Sequence, residues 1–170
     1  MNIELLELLR CPVSNQKLLF ENLDANQDFV NDGYLITEDG KYKYPIINNI
    51  PRFVDKTNYA DNFGLQWNIF SKTQLDGYSG YPISSDRFWK ATNWTPNELK
   101  DQWVLDVGCG AGRFAEILLD VGAKIIALDY SSSVDACYEN LKHHANIHVV
   151  QGDIYSLPFQ KDFFPFVYSL

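Results

Sequence analysis

Apolar residues are spaced differently in the two halves of the chain. Ile3, Leu5, Leu6, Leu8 and Leu9 form a short apolar cluster that stops at Cys11-Pro12, which predicts one brief helix. Lys17-Leu18-Leu19-Phe20 predicts a strand. Residues 33–37 and 41–44 predict two more, joined by a turn at Glu38-Asp39-Gly40. Residues 1–55 thus form a small β-rich unit. Its core is marginal for its size, so it should lean on a neighbour.

Residues 56–100 read as a helical connector. Phe63, Trp67 and Phe70 recur at helical spacing, and Asp86-Arg87-Phe88-Trp89 suggests a second helix. Thr95-Pro96 has the form of an N-cap followed by proline at the first helical position, while Gly77, Gly80 and Pro82 interrupt the stretch between. From residue 102 strands and helices alternate, the pattern of an open parallel α/β sheet. Strands are predicted at Trp103–Asp106, Lys124–Asp129 and Ile147–Val150, with a fourth starting at Phe166-Val167-Tyr168-Ser169. Helices fall at residues 111–120 and after Ser132-Ser133-Val134-Asp135, which has the form of a capping box. The expected sheet stops after its fourth strand, as in a truncated product or one completed by a partner. Such a sheet leaves one face and one edge uncovered, and the edge makes pairing into a homodimer an expectation.

Composition narrows the function classes. Of the 170 residues 46% are hydrophobic and 21% charged, within the globular range. The formal net charge of -8 comes with scattered lysines and arginines, so neither nucleic acid nor an anionic membrane is the expected partner. Three cysteines, Cys11, Cys109 and Cys137, are too few and too far apart for a disulfide framework. No apolar run nears the ~20 residues that span a bilayer. Acidic residues follow the first methionine where a signal peptide would be basic, so the expected location is cytoplasmic.

The strongest chemical signal is Asp106-Val107-Gly108-Cys109-Gly110-Ala111-Gly112, between a strand and a helix. Glycines there allow a tight turn and close approach of backbone amides to a ligand. The spacing G-x-G-x-G departs from the dinucleotide pattern G-x-G-x-x-G/A, whose last position would fall on Arg113. Asp106 would repel a pyrophosphate but suits a ligand carrying an ammonium. Asp129 ends the next strand, 17 residues after Gly112, where a carboxylate can accept from both hydroxyls of a ribose. Asp153 follows the third strand and could accept from an adenine amino group, with Tyr130 and Ile154 flanking the ring. All lie at the carboxyl ends of parallel strands, where open α/β sheets bind ligands.

Val104 to Phe114 resembles the first motif of the class I S-adenosylmethionine (SAM)-dependent methyltransferases. Ile126 to Ser131 resembles their second motif, Gln151 to Phe159 their third, and Phe166 to Ser169 the start of their fourth. The resemblance implies a Rossmann-like sheet over residues 101–170, SAM as cofactor, and methyl transfer to a small-molecule substrate. It implies that Asp106, Gly108, Cys109, Gly110 and Gly112 border the methionyl part. Asp129 would hold the ribose, and Tyr130, Asp153 and Ile154 the adenine. Charge logic adds Arg87 as a partner for the SAM carboxylate. Tyr78, Tyr81 and Trp67 are candidate pocket walls.

The N-terminal unit, through Leu8-Leu9-Arg10-Cys11-Pro12, Tyr44-Pro45-Ile46 and Asn49 to Phe53, resembles the small zinc-ribbon-like domains that accompany methyltransferases. Ser14 stands where such domains carry a second cysteine, so the expectation is a ribbon-like fold without metal. Cys109 has no histidine placed to activate it, and SAM methylation needs no nucleophile from the protein. No general base is evident: Ser169-Leu170 stands where many amine-modifying relatives carry an Asn/Asp-Pro-Pro-aromatic run. Two other readings stand beside the methyltransferase: a non-catalytic SAM-binding or scaffold module acting with a partner, and a nicotinamide-dependent oxidoreductase. Asp129 suits the oxidoreductase; Asp106 and Arg113 oppose it.

Overall fold

The computed structural model describes residues 1–21, 30–54 and 72–170. The proposed helix through Phe63, Trp67 and Phe70 lies outside them.

Helix α1 (Ile3–Leu8) starts at Asn2, whose side chain accepts from the Glu4 amide at 3.0 Å. Four short strands follow, β1 (Leu18–Phe20), β2 (Gly33–Thr37), β3 (Lys43–Ile47) and β4 (Ile50–Pro51). They form an antiparallel sheet in sequence order. The β3–β4 hairpin turns on Asn48 and Asn49, whose φ angles of 52° and 67° meet the demand of a two-residue turn for left-handed backbone.

Between the two sheets lie α2 (Asp76–Ser79), α3 (Ile83–Thr92) and α4 (Pro96–Leu99). Gly77 does not break the chain as expected but sits inside the single turn of α2. The Asp76 carboxylate explains why: it accepts from the Ser84 and Ser85 amides at 2.9 and 2.7 Å, so α2 is held as the cap of α3. Phe88 on α3 is fully buried, with ring centroids 5.1 Å from Trp89 and Tyr168 and 6.0 Å from Trp94 and Phe114. This cluster joins the connector to the second sheet.

That sheet contains β5 (Trp103–Val107), β6 (Lys124–Asp129), β7 (Ile147–Gln151) and β8 (Phe166–Tyr168). All pairings are parallel and the order is β7-β6-β5-β8. Its crossover helices are α5 (Arg113–Asp120) and α6 (Ser133–Leu141). The capping box expected at Ser132–Asp135 does not form: the Ser132 side chain makes no cap bond, and the Asp135 carboxylate pairs with Arg52 at 2.6 Å instead.

Successive strand residues point to opposite faces, and here both faces are covered. Val104, Ile125, Ala127 and Val149 pack against Phe114, Leu118, Val134, Cys137 and Leu141 of α5 and α6. On the other face Leu105, Val107, Ile126, Leu128 and Val150 share a core with Met1, Leu5, Leu9, Leu35 and Ile46 of the N-terminal unit. The sheet face expected to be bare is therefore occupied by the chain's own first fifty residues. The physical reason is mutual: the small unit lacks a sufficient core of its own, and the sheet has an apolar face to offer. Among the described residues, no strand pairs with the outer edge of β8.

Candidate functional site

The chain steps outward from β5 to β6 to β7, then returns to place β8 on the other side of β5. The crevice between β5 and β8 is thus a topological switch point, where open sheets of this kind bind ligands. The glycine turn leaves β5 at that crevice. Gly108, Gly110 and Gly112 all have positive φ, at 82°, 53° and 91°. The turn is tied to the neighbouring strand, since the Gly108 and Cys109 amides donate to the Leu128 carbonyl at 2.8 and 3.1 Å.

Asp129 does more than end β6. Its Oδ2 accepts from the Gly110 amide at 2.9 Å, and its Oδ1 accepts from the Ser131 amide and hydroxyl, each at 2.8 Å. The carboxylate orders the glycine turn.

Asp106 lies beneath the turn and is 2% exposed. Its register partner on β8 is Tyr168. The two buried side chains face each other outside ordinary hydrogen-bond geometry, so Asp106 Oδ2 and the Tyr168 hydroxyl both lack a partner. Burial pushes the Asp106 carboxyl up to about 7; the nearby Tyr168 phenol tempers the rise and the Asp129 carboxylate adds to it. A buried carboxylate with one unpaired oxygen is a receptor for a cationic group.

Cys109 is buried beside Cys137. Their mutual hydrogen bond, then burial, hold the Cys109 thiol well above its ordinary range, which makes it a packing group rather than a nucleophile.

A cavity of about 90 Å³ opens above the turn, bordered by Gly108, Cys109 and Gly110 and, among other side chains, by Arg87, Arg113 and Phe114. Both guanidiniums stack over the Phe114 ring, at 5.7 Å for Arg87 and 5.0 Å for Arg113. Arg113 Nε also donates to Ser84 Oγ at 2.8 Å, fixing it to the connector. Two cations thus stand beside amides that already favour an anion.

Tyr130, Asp153 and Ile154 gather at the neighbouring strand ends, outside that cavity. The Gly152 amide donates to the Asp129 carbonyl at 3.0 Å, which sets the β7 exit beside the β6 exit. Asp153 is half-buried, with Oδ1 accepting from the Tyr155 amide at 2.9 Å. Ile154 is 54% exposed. Tyr78 and Tyr81, at 69% and 68% exposure, do not line the cavity, and Trp67 lies outside the described residues. Among the described residues no three His, Cys, Asp or Glu side chains converge as a metal site. Cys11 contacts the Tyr44 hydroxyl at 3.1 Å.

Two participants do not declare themselves in the sequence. Arg113 reads there only as a departure from the dinucleotide pattern, although its place one residue after the glycines sets it on the first turn of α5. Tyr168 could be found only from the strand order, which puts β8 against β5.

A parallel sheet of this order, with a glycine turn at its switch point and a buried acid beneath, defines a methyltransferase-type fold. Residues 104–170 match the family model described as "Methyltransferase domain". A solved structure of a candidate S-adenosyl-L-methionine-dependent methyltransferase from Methanococcus maripaludis is similar in fold, with a TM-score of 0.50 and 21% identity. The match covers 68% of this chain and 52% of that one. Phosphoethanolamine N-methyltransferase 1 of Haemonchus contortus, solved with phosphoethanolamine and S-adenosylhomocysteine, gives a TM-score of 0.46 at 23% identity over 64% of this chain and 24% of its own. By sequence, an uncharacterized protein of Haemophilus influenzae is 40% identical over 52 residues, which are 31% of this chain and 19% of that protein. The chain therefore spans only part of the proteins it resembles.

Proposed function

We propose that this protein is a SAM-dependent methyltransferase acting on a small molecule. The observation that carries the proposal is Asp106, a buried carboxylate directly under the glycine turn whose Oδ2 has no hydrogen-bond partner. It fits the ammonium of the methionyl group and opposes a pyrophosphate, which argues against a nicotinamide cofactor. The amides of the turn, with Arg87 and Arg113, fit the methionyl carboxylate. Asp129 retains one acceptor position, on Oδ2, for a ribose hydroxyl, and Asp153 with Tyr130 and Ile154 lies at the adjacent strand exit, where an adenine would fit. When bound, SAM supplies an activated methyl group. What the protein's residues contribute is alignment of the two reactants and exclusion of water. A small substrate agrees with the net charge of -8, which disfavours polyanions.

Calorimetric titration with S-adenosylhomocysteine tests this reading, with NADH as control. Saturable binding of S-adenosylhomocysteine without response to NADH is the expected result. The Asp129→Ala variant should weaken binding roughly 100-fold, the size expected for losing one charge-assisted hydrogen bond to a ribose together with the tie that orders the glycine turn. A chain folded by circular dichroism that binds no S-adenosylhomocysteine would overturn the cofactor reading and favour a scaffold module acting with a partner.

A further inference from the structure

The N-terminal unit does not stop at covering a sheet face. After β4 its backbone runs on beside the free edge of β7. Arg52 forms a parallel bridge with Gln151, and the Phe53 amide donates to the Gln151 carbonyl at 2.8 Å. Gln151 is the last residue of β7, and Gly152-Asp153 follow directly.

The Arg52 side chain turns this pairing into a clamp. Nη1 donates to Gln151 Oε1 at 2.8 Å and Nη2 to Asp135 Oδ1 at 2.6 Å. Gln151 Nε2 in turn donates to the Tyr130 carbonyl at 3.1 Å. Asp135 lies in the first turn of α6, the helix that follows the Asp129–Ser132 turn. One guanidinium therefore binds the exits of both β6 and β7, which carry Asp129-Tyr130 and Asp153-Ile154. The Arg52 side chain is only 12% exposed, whereas Asp135 is 36% exposed, so solvent reaches the pair from the Asp135 side. A lysine could not make both bonds in this fork.

We infer that Arg52 is a positioning residue for the adenosine end of the cofactor site, and that the N-terminal unit is a working part of that site rather than an attached accessory. This rests on the SAM reading above. Arg52 touches no ligand group; it acts through Gln151 and Tyr130. Its loss should therefore affect every ligand that carries adenosine, whether or not it carries the amino-acid tail.

The test uses the whole chain and two probes, S-adenosylhomocysteine and 5′-methylthioadenosine, which lacks the ammonium and the carboxylate. Arg52→Ala should weaken both by the same factor, roughly tenfold, a size that corresponds to one charge-assisted bond. The calorimetric stoichiometry should stay unchanged, whereas a merely destabilised protein would lose binding-competent fraction. Arg113→Ala is the contrast: it should weaken S-adenosylhomocysteine and leave 5′-methylthioadenosine alone. Should Arg52→Ala fail to fold, Arg52→Lys keeps the cation and stem but not both bonds, and should show a smaller loss, again equal for both probes. Unchanged affinity for both probes in a folded variant overturns the inference, as does a loss confined to S-adenosylhomocysteine. A wild-type chain that binds neither probe removes the SAM reading itself, and the inference with it.

Discussion

Between pH 4 and pH 8, the Asp106→Asn variant is expected to gain stability relative to the wild-type protein by on the order of 4 kcal/mol. The Asp106 carboxyl stands at about 7 in the folded protein, against an ordinary value of 3.8. Below pH 4 it is protonated in both folded and unfolded chains and contributes no difference. Between the two values the unfolded chain releases the proton and the folded one keeps it, so stability falls as pH rises. Above about 7 the loss is complete, because the folded protein then carries a buried charge. The groups that bear on this carboxyl are Asp129, Tyr168 and Cys109, all part of the same crevice. Urea unfolding of both proteins at each pH isolates the effect. The difference must be used, because the Met1 amine, lowered by burial to about 5, and His148, lowered by burial to about 4, titrate with the opposite sign. A gap between variant and wild type that does not change with pH would show that Asp106 is already ionised in the fold. The same chemistry predicts that S-adenosylhomocysteine binds wild type more tightly as pH rises through 7, when Asp106 becomes the anion an ammonium needs, and that this trend vanishes in Asp106→Asn.

Gly112→Ala should cost roughly 2–5 kcal/mol, the sum of a left-handed alanine and overpacking of a filled core. Gly112 has φ 91° and stands at the N-cap of α5. A Cβ there would lie 2.6 Å from Leu141 Cδ1 and 3.1 Å from Cys137 Sγ. Both neighbours are buried on α6 at 1% and 0% exposure, so neither can swing aside. Gly40→Ala is the control for backbone strain alone: its φ is 68° and nothing lies within 4 Å of an added Cβ. That change should cost only about 1–2 kcal/mol. Gly112→Ala should also lose S-adenosylhomocysteine binding, because α5 and the glycine turn move together. Equal melting temperatures for the two variants would show that the α5–α6 contact is looser than its geometry.

Strand and helix placement in the second half was legible because it depends on local pattern. Lys124–Asp129 reads as a strand from its own run of apolar residues, and the structure has β6 over those same residues. The glycine turn, Asp106 and Asp129 were legible for the same reason: the residues of one strand exit lie close together in sequence. The capping box at Ser132–Asp135 was misread because its acid is claimed by Arg52, 83 residues earlier in the chain. Likewise the cap of α3 comes from Asp76, separated by two glycines and a proline that read as a break.

In the second half the sequence by itself determined the order of elements, their parallel α/β character and the side chains available at each strand exit. These follow from periodicity and turn chemistry, which act over a few residues. Only the tertiary structure decided what covers the second face of the sheet, which tyrosine meets Asp106 and which arginines reach the crevice. Each of those contacts joins residues far apart in the chain. A pattern can mark a face as apolar or a carboxylate as unpaired, but the partner is selected by shape and burial once the chain has closed on itself.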